Sequence, residues 1–313
     1  LIKDVLTIVA KKYGQPNLAA VVGKLGATLF AIHTALTFAV AWIMGRNEMW
    51  LACFSLLSVR QLLNWMDSGE PKALAFALIF YLAAFFTKES ALAILIVGGA
   101  FYFAAPASSS QSRRKTNLFV TSFAAAAAFG FLIRAQLFSG APGSAPPFEV
   151  LLHSLAQAWQ GAVVMLGKAF FPVSGLSNLP TRLDAPMWPG VLAVTLAIGL
   201  TAIGWRRSRA VAIGWLWFLA FLVPSLLHPN PGLADVFVLR EDRMYTASIG
   251  LLLFIIPAVE WAGRFSLRSQ WAALLAAFEL VTALTARRTT DFRDSLAFYS
   301  NAVAASPRLP AAH

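Results

Sequence analysis

The sequence predicts an all-α polytopic membrane protein, and three observations carry that prediction. Of 313 residues, 58% are hydrophobic and only 12% are charged, with a mean hydropathy of +0.68; an ordinary soluble domain of this size is far more polar. Apolar runs recur along the whole chain, and a spanning helix needs roughly 20 such residues. Basic clusters follow every second run, as cytoplasmic loops do under the positive-inside rule.

The candidate spans cover residues 18–33, 49–65, 73–87, 90–105, 117–138, 187–205, 210–228, 245–262 and 270–286. That makes about nine, besides the opening LIKDVLTIVA, which reads as a helix already under way and raises the expectation of an N-terminal portion before residue 1. The clusters that give direction are Lys11 and Lys12, Arg60 and Lys72, Arg113 to Lys115, Arg206, Arg207 and Arg209, and Arg264 with Arg268. Residues 33–48, the region around 88, the loop 139–186, the loop 228–244 and the tail from 287 then face outward. Recurrence of apolar runs favours one membrane domain, residues 1–286, over two soluble ones.

Within the outer loop, GAPGSAPP and FPVSGLSNLP bracket EVLLHSLAQAWQGAVVMLGKAF. The mixture of apolar residues with His153, Gln157, Gln160 and Lys168 predicts an amphipathic helix lying in the interface. A hairpin dipping into the bilayer is the alternative. Residues 287–313 change character. Apolar positions at Leu296, Tyr299 and Val303, followed by a Ser-Pro break, predict an amphipathic helix outside the membrane that begins a soluble helical array.

Composition also narrows the chemistry. Cys53 stands alone, so an internal disulfide framework and a cysteine-based metal site are excluded. The histidines His33, His153, His228 and His313 never fall at metal-ligand spacing, so no metal site is expected. The net charge of +11 belongs to residues interleaved with lipid-length helices, which marks cytoplasmic loops and argues against a nucleic-acid partner.

What remains unexplained is charge inside apolar sequence. An ionisable group at membrane depth costs at least about 2.5 to 3.5 kcal/mol, so each needs a partner or a task. Lys88 and Glu89, in AFFTKESALAI, point about 100° apart on a helix and cannot pair well with each other. A lysine held at a helix break is suited to meet a phosphate as a point charge, with structural pairing as the alternative. On the same side, Arg46 and Glu48 open a helix in GRNE, where Glu48 complements the helix N-terminus and Arg46 is left to reach an anion. His33 closes the helix before them, and REDRMY (Arg240 to Tyr245) places Glu241, Arg243 and Tyr245 at the outer end of another. A solvated loop explains any one of these groups; their common side joins them into one candidate site.

These segments resemble a family. AIHTALTFAVAWIMGRNEMWLACFSLL is similar to the "HP…EAVAW…GR.D.L…F.LL" segment of the transmembrane and tetratricopeptide-repeat O-mannosyltransferase-like proteins and their bacterial relatives. AFFTKESALAI resembles their "LSKE(T/S)" motif, LREDRMYTASIGLLL their "EHR.YLPSIG", WLWFLAFLVPS their "WFL…LP" helix, and FRDSLAFYSNAVAASPRLPAAH the segment that leads into their repeats. The resemblance runs through residues 18–313 in order, on short motifs. It implies a GT-C fold leading into a TPR-like helix, in the bacterial inner membrane with an extracytoplasmic C-terminus. The activity implied is transfer of a sugar from a polyprenyl-phosphate carrier to an acceptor hydroxyl on a protein or glycan, with no cofactor beyond the lipid-linked donor. Lys88 would contact the lipid phosphate, and Glu89 would orient it or pair with a basic group such as Arg243. Thr34, Phe38 and Ala247 depart from the family pattern, which has proline, glutamate and proline there. The family's catalytic acid lies in a first outer loop that would precede residue 1, so no catalytic residue is assigned. Two alternatives stand beside this reading: a catalytically degenerate GT-C-like scaffold subunit of a larger membrane complex, and a transporter, against which no paired inverted repeat is visible.

Overall fold

The structure is a computed structural model, and it describes residues 1–41, 45–104, 113–137, 148–171, 187–204, 208–226 and 241–305. Among them every regular element is helical: α1 (Ile2–Tyr13), α2 (Ala19–Ile32), α3 (Thr37–Ala41), α4 (Arg46–Ser68), α5 (Pro71–Thr87), α6 (Ala93–Ala104), α7 (Arg113–Leu137), α8 (Phe148–Phe170), α9 (Trp188–Gly204), α10 (Ala210–Leu226), α11 (Met244–Leu251), α12 (Ile255–Ala262), α13 (Leu267–Thr289) and α14 (Ser295–Ala305). Helices occupy parts of all nine predicted ranges. By length and composition, three segments among the described residues suffice to cross a membrane: Lys115–Leu137, Glu241–Ala262 and Leu267–Phe292. A fourth forms if Pro16–Ile32 and Thr34–Ala41, bent by 56° at His33, count as one span. The helices Pro71–Thr87, Glu89–Ala104, Trp188–Ile203 and Ala210–Leu226 are apolar but shorter.

Local chemistry sets the reversals. α4 ends at Gly69, whose φ of 72° is open to glycine at little cost, and its amide closes the helix on the Trp65 carbonyl at 2.8 Å. Pro71 then starts α5 at a position where its missing N–H is no loss. The resulting hairpin packs α4 along α5, and Ser58 Oγ donates across it to the Ala77 carbonyl at 2.8 Å. Between α10 and α11 the approach is set by Gly214 and Gly250. A Cβ on either would lie within 2.6 Å of the other's carbonyl oxygen, so only glycine permits that contact.

The helix ends sort into two groups. At one end Lys12 pairs with Asp67, Tyr13 Oη donates to the Phe101 carbonyl at 2.7 Å, and Arg209 Nη1 donates to the Ala104 carbonyl at 2.7 Å. At the other end lie His33, Glu48, Lys88, Glu89, Arg134, Lys168, Glu241 and Arg288, joined by the contacts described below. Three of the predicted basic clusters, through Lys12, Lys115 (beside Gly69) and Arg209, thus gather opposite the candidate site.

α8, the helix predicted to lie in the interface, packs its second half against α9 and α10, burying Met165 and Leu166, because Val163 and Gly167 close on Gly190. The expected apolar face of the tail helix is corrected. In the tail, α14 anchors through buried Phe298, which packs against Phe292, whereas Leu296 and Tyr299 are exposed. The helix before it also runs past the expected boundary, since α13 continues to Thr289. The Ser-Pro break, half of the loop 139–186 and most of the loop 228–244 lie outside the described residues.

Asp294 stands just before α14 and accepts from the Ala297 amide at 2.8 Å and from Arg293 Nε at 3.0 Å. The amide bond first, and the guanidinium second, hold its carboxyl below the usual carboxylate range. A lowered folded pKa means that the contribution is complete above the ordinary range and fades as pH falls through the lowered value. Protection of the Ala297 amide against exchange, taken relative to its intrinsic rate at each pH, should therefore fall on acidification below pH about 4. Asp294→Ala should show the reduced protection already at neutral pH.

Candidate functional site

Each charged side chain at the polar end is placed by the geometry of its helix. α5 stops at Thr87, and Lys88 takes extended backbone, φ −161°, before a 3-10 turn leads into α6. The expected helix break at Lys88 is present. Since α4 and α5 form an antiparallel hairpin, the first turn of α4 lies opposite the last turn of α5, and Lys88 Nζ pairs with Glu48. Glu48 is buried, its backbone carbonyl accepts from Thr246 Oγ1 at 3.2 Å, and Asp242 and Arg243 stand near enough to act on its charge.

Glu89, the first residue of the 3-10 turn, does not pair with Lys88 but with Arg134 near the end of α7. Close approach of α5 and α7 explains this choice. A Cβ on Gly130 would lie 2.7 Å from the Phe85 ring; about one turn further along α7 comes Arg134, and just past the end of α5 comes its partner Glu89. The expected alternative, Glu89 with Arg243, does not occur: Arg243 Nη1 donates to the Ser225 carbonyl in the last turn of α10, which has no intrahelical donor.

The most buried group is centred on Glu241. Its Oε1 accepts from Lys168 Nζ at 2.6 Å and its Oε2 from Arg288 Nη2 at 2.9 Å. The three side chains are only 4%, 1% and 4% exposed for Lys168, Glu241 and Arg288. Arg288 also reaches Asp291 Oδ2 at 3.0 Å, and Asp291 accepts from Asn301 of α14. A close approach again sets the position, because a Cβ on Gly167, next to Lys168, would fall 2.6 Å from the Gly190 amide.

His33 caps the turn after α2. Ala35 N donates to its Nδ1 at 3.2 Å and its Nε2 lies 2.7 Å from the Ala169 carbonyl, a pair of bonds that requires a neutral ring with the proton on Nε2. Tyr245 stacks edge-on against Phe30 of α2, with ring centres 5.0 Å apart. Arg46 is exposed and forms no ion pair among the described residues. Beside His33 lies a cavity of about 270 Å³ with walls from Phe30, Leu36, Phe170, Met244, Leu252 and Val281, among others; neither Lys88 nor Arg243 lines it. Phe38, where the family has glutamate, is buried against Phe292.

The structure thus unites Glu48, Lys88, Glu241 and Arg243 around the short segment Glu241–Arg243, sets Glu89 on a separate pair, and leaves Arg46 at the rim. Sequence reasoning missed Arg134, Lys168 and Arg288 as members. Arg134 carried a usable signal, a single charge inside the apolar run 117–138; Lys168 and Arg288 lay at predicted loop edges where charge is ordinary. Among the described residues no group of three or more His, Cys, Asp or Glu is arranged to hold a metal. Among the described residues, fold and site define the class as a helical protein with three candidate membrane spans, or four if the bent pair counts as one, and a cluster of buried ion pairs at one end. No protein-family model matches the chain, and neither a curated protein nor a solved structure matches it.

Burial separates the pairs energetically. Removing one partner of a buried pair strands a charge and costs about 3 to 5 kcal/mol, whereas an exposed pair contributes about 0 to 1 kcal/mol. Glu241→Ala should therefore lower the unfolding midpoint in detergent sharply. Glu89→Ala, at a carboxylate 47% exposed, should leave it nearly unchanged.

Proposed function

We propose that this chain is the membrane portion of a GT-C-like glycosyltransferase that moves a sugar from a polyprenyl-phosphate carrier to an acceptor hydroxyl on a protein or glycan. The observation that carries the reading is the convergence of charge. Residues from three separated motifs, Glu48, Lys88 and the segment Glu241–Arg243, meet at one end of an otherwise apolar bundle. The order of motifs along residues 18–313 supports the same reading. On it, about nine helices cross the bacterial inner membrane, the polar end and the C-terminus are extracytoplasmic, and the end holding Lys12, Lys115 and Arg209 is cytoplasmic.

In this reaction the acceptor oxygen attacks the anomeric carbon, the bond from that carbon to the phosphate oxygen breaks, and the lipid phosphate departs with the electron pair. A base removes the acceptor proton. Lys88 holds the phosphate as a point charge, with Arg46 at the rim as a second cation. Glu48 and Arg243 position Lys88 from behind. No described residue is assigned as the base.

A second reading, a scaffold subunit within a larger membrane assembly, is favoured by a specific observation. Lys88, Arg134, Lys168 and Arg288 all contact carboxylates, and the adjoining cavity is apolar. Native mass spectrometry with undecaprenyl phosphate separates the two. Because Lys88→Ala alone would strand buried Glu48, the informative variant removes both charges together, as Glu48→Gln with Lys88→Met. The enzyme reading expects binding to weaken about tenfold or more in that variant, and Lys88→Arg to recover it only in part. Equal binding by all three proteins would leave the scaffold reading. The topology is tested by Ser112→Cys and Ser144→Cys, each in a Cys53→Ser background. An impermeant reagent should label only Ser144→Cys from outside, and labelling of both from one side would overturn the arrangement.

A further inference from the structure

Two charges take no part in the cluster, and both lie well inside apolar helices. Glu279 is in the middle of the Leu267–Phe292 segment, of whose apolar stretch 0% is buried within the chain. Lys24 lies in α2, part of the bent candidate span Pro16–Ile32 with Thr34–Ala41. Both side chains are exposed, and among the described residues neither forms an ion pair or hydrogen bond. Glu279 sits about 18 Å from either end of its segment at 1.5 Å per residue, too far for its short side chain to reach water. A carboxyl there without a partner is costly.

The two positions lie at similar depth. Thr285 of α13 donates to the Ile32 carbonyl at the end of α2, which fixes the two helices side by side near the polar end. Both run toward that end, since α2 leads into His33 and α13 into Arg288. Lys24 lies eight residues before Ile32 and Glu279 six before Thr285, or about 12 and about 9 Å below the contact.

The faces around them are built alike. Ala272, Ala276, Glu279, Ala283 and Ala286 repeat at spacings of four and three along the exposed side of α13, opposite the stripe of Val281, Thr285 and Arg288 turned to the bundle. On α2, Ala20, Lys24, Thr28 and Ala31 are exposed, while Val22 is buried and Gly23 and Gly26 pack against α1. Small residues let another helix approach closely, and a polar pair between apolar helices then has no competing water.

We propose that this α2–α13 face joins two copies of the chain, with Lys24 of each copy paired to Glu279 of the other. Opposite charges at similar depth on neighbouring helices are what a two-fold axis along the helices needs: each contact is made twice, and neither charge remains single. The proposal is independent of the catalytic reading.

The test exploits reciprocity. Full chains tagged with donor or acceptor fluorophores are reconstituted in phospholipid vesicles, and energy transfer reports association. Wild type should associate. Lys24→Glu alone and Glu279→Lys alone should each weaken association about tenfold or more, because each places like charges in both contacts. Mixing the two variants should restore it, since a mixed dimer again has two opposite-charge contacts. Restoration also shows that both variants fold. Absence of transfer in wild type, unchanged transfer in both variants, or no recovery on mixing would overturn the proposal. Recovery confined to the double variant Lys24→Glu/Glu279→Lys in one chain would instead assign the pair within a single copy.

Discussion

Glu241 is the carboxylate on which the polar end of the molecule depends. In an apolar bundle a lone charge is expensive, and two cations brought together without an anion are worse. With Oε1 engaged by Lys168 and Oε2 by Arg288, one side chain holds the end of α8 and the end of α13 to the segment that opens α11. Arg288 then passes the connection to Asp291, and Asp291 to Asn301. A continuous polar chain thus runs from inside the bundle to α14. It fixes how α14 leaves the bundle.

Placement of these charges rests on small residues as much as on the charges themselves. Gly130 lets Phe85 approach and brings Arg134 over Glu89; Gly167 against Gly190 brings Lys168 inward. In both cases the glycine lies within one turn of the charged residue it positions. A side chain at either glycine would separate the helices by more than an ion pair tolerates, so backbone approach and electrostatics are coupled at this end.

This coupling also explains what could be read from the sequence. Helix positions followed from apolar run length, and the grouping of Lys12, Lys115 and Arg209 opposite the site followed from alternation of the basic clusters. Lys88 and Glu89 were legible as charges needing separate partners, because adjacent helical positions diverge. The partners themselves were not. Arg134 is 45 residues from Glu89, Lys168 is 73 from Glu241, and Arg288 is 47 from Glu241; such pairings depend on which helices neighbour each other, a tertiary property that periodicity does not encode. The tail misled for a related reason. Leu296 and Tyr299 fit an amphipathic pattern, but the turn Thr290–Phe292 rotates α14 so that Phe298 meets Phe292 instead.

Closed ion pairs do not by themselves decide against anion binding at this end, because the pairs differ in access. Lys168 and Arg288 are sealed, and an anion reaching either would have to displace Glu241 and leave it stranded. Lys88 is different: it is 22% exposed while its partner Glu48 is 2% exposed. Its ammonium has three donors, so one can remain on Glu48 while another turns outward to an oxygen of a phosphate. Glu48 then keeps its counter-charge throughout, with Arg243 and the Thr246 contact behind it. An arginine in place of Lys88 would present a rigid planar fork, and satisfying Glu48 with one edge would dictate where the other edge points. A buried carboxylate behind a partly exposed lysine is therefore compatible with a cation held ready for an anion. The same carboxylate between two sealed cations, as at Glu241, is a structural tie.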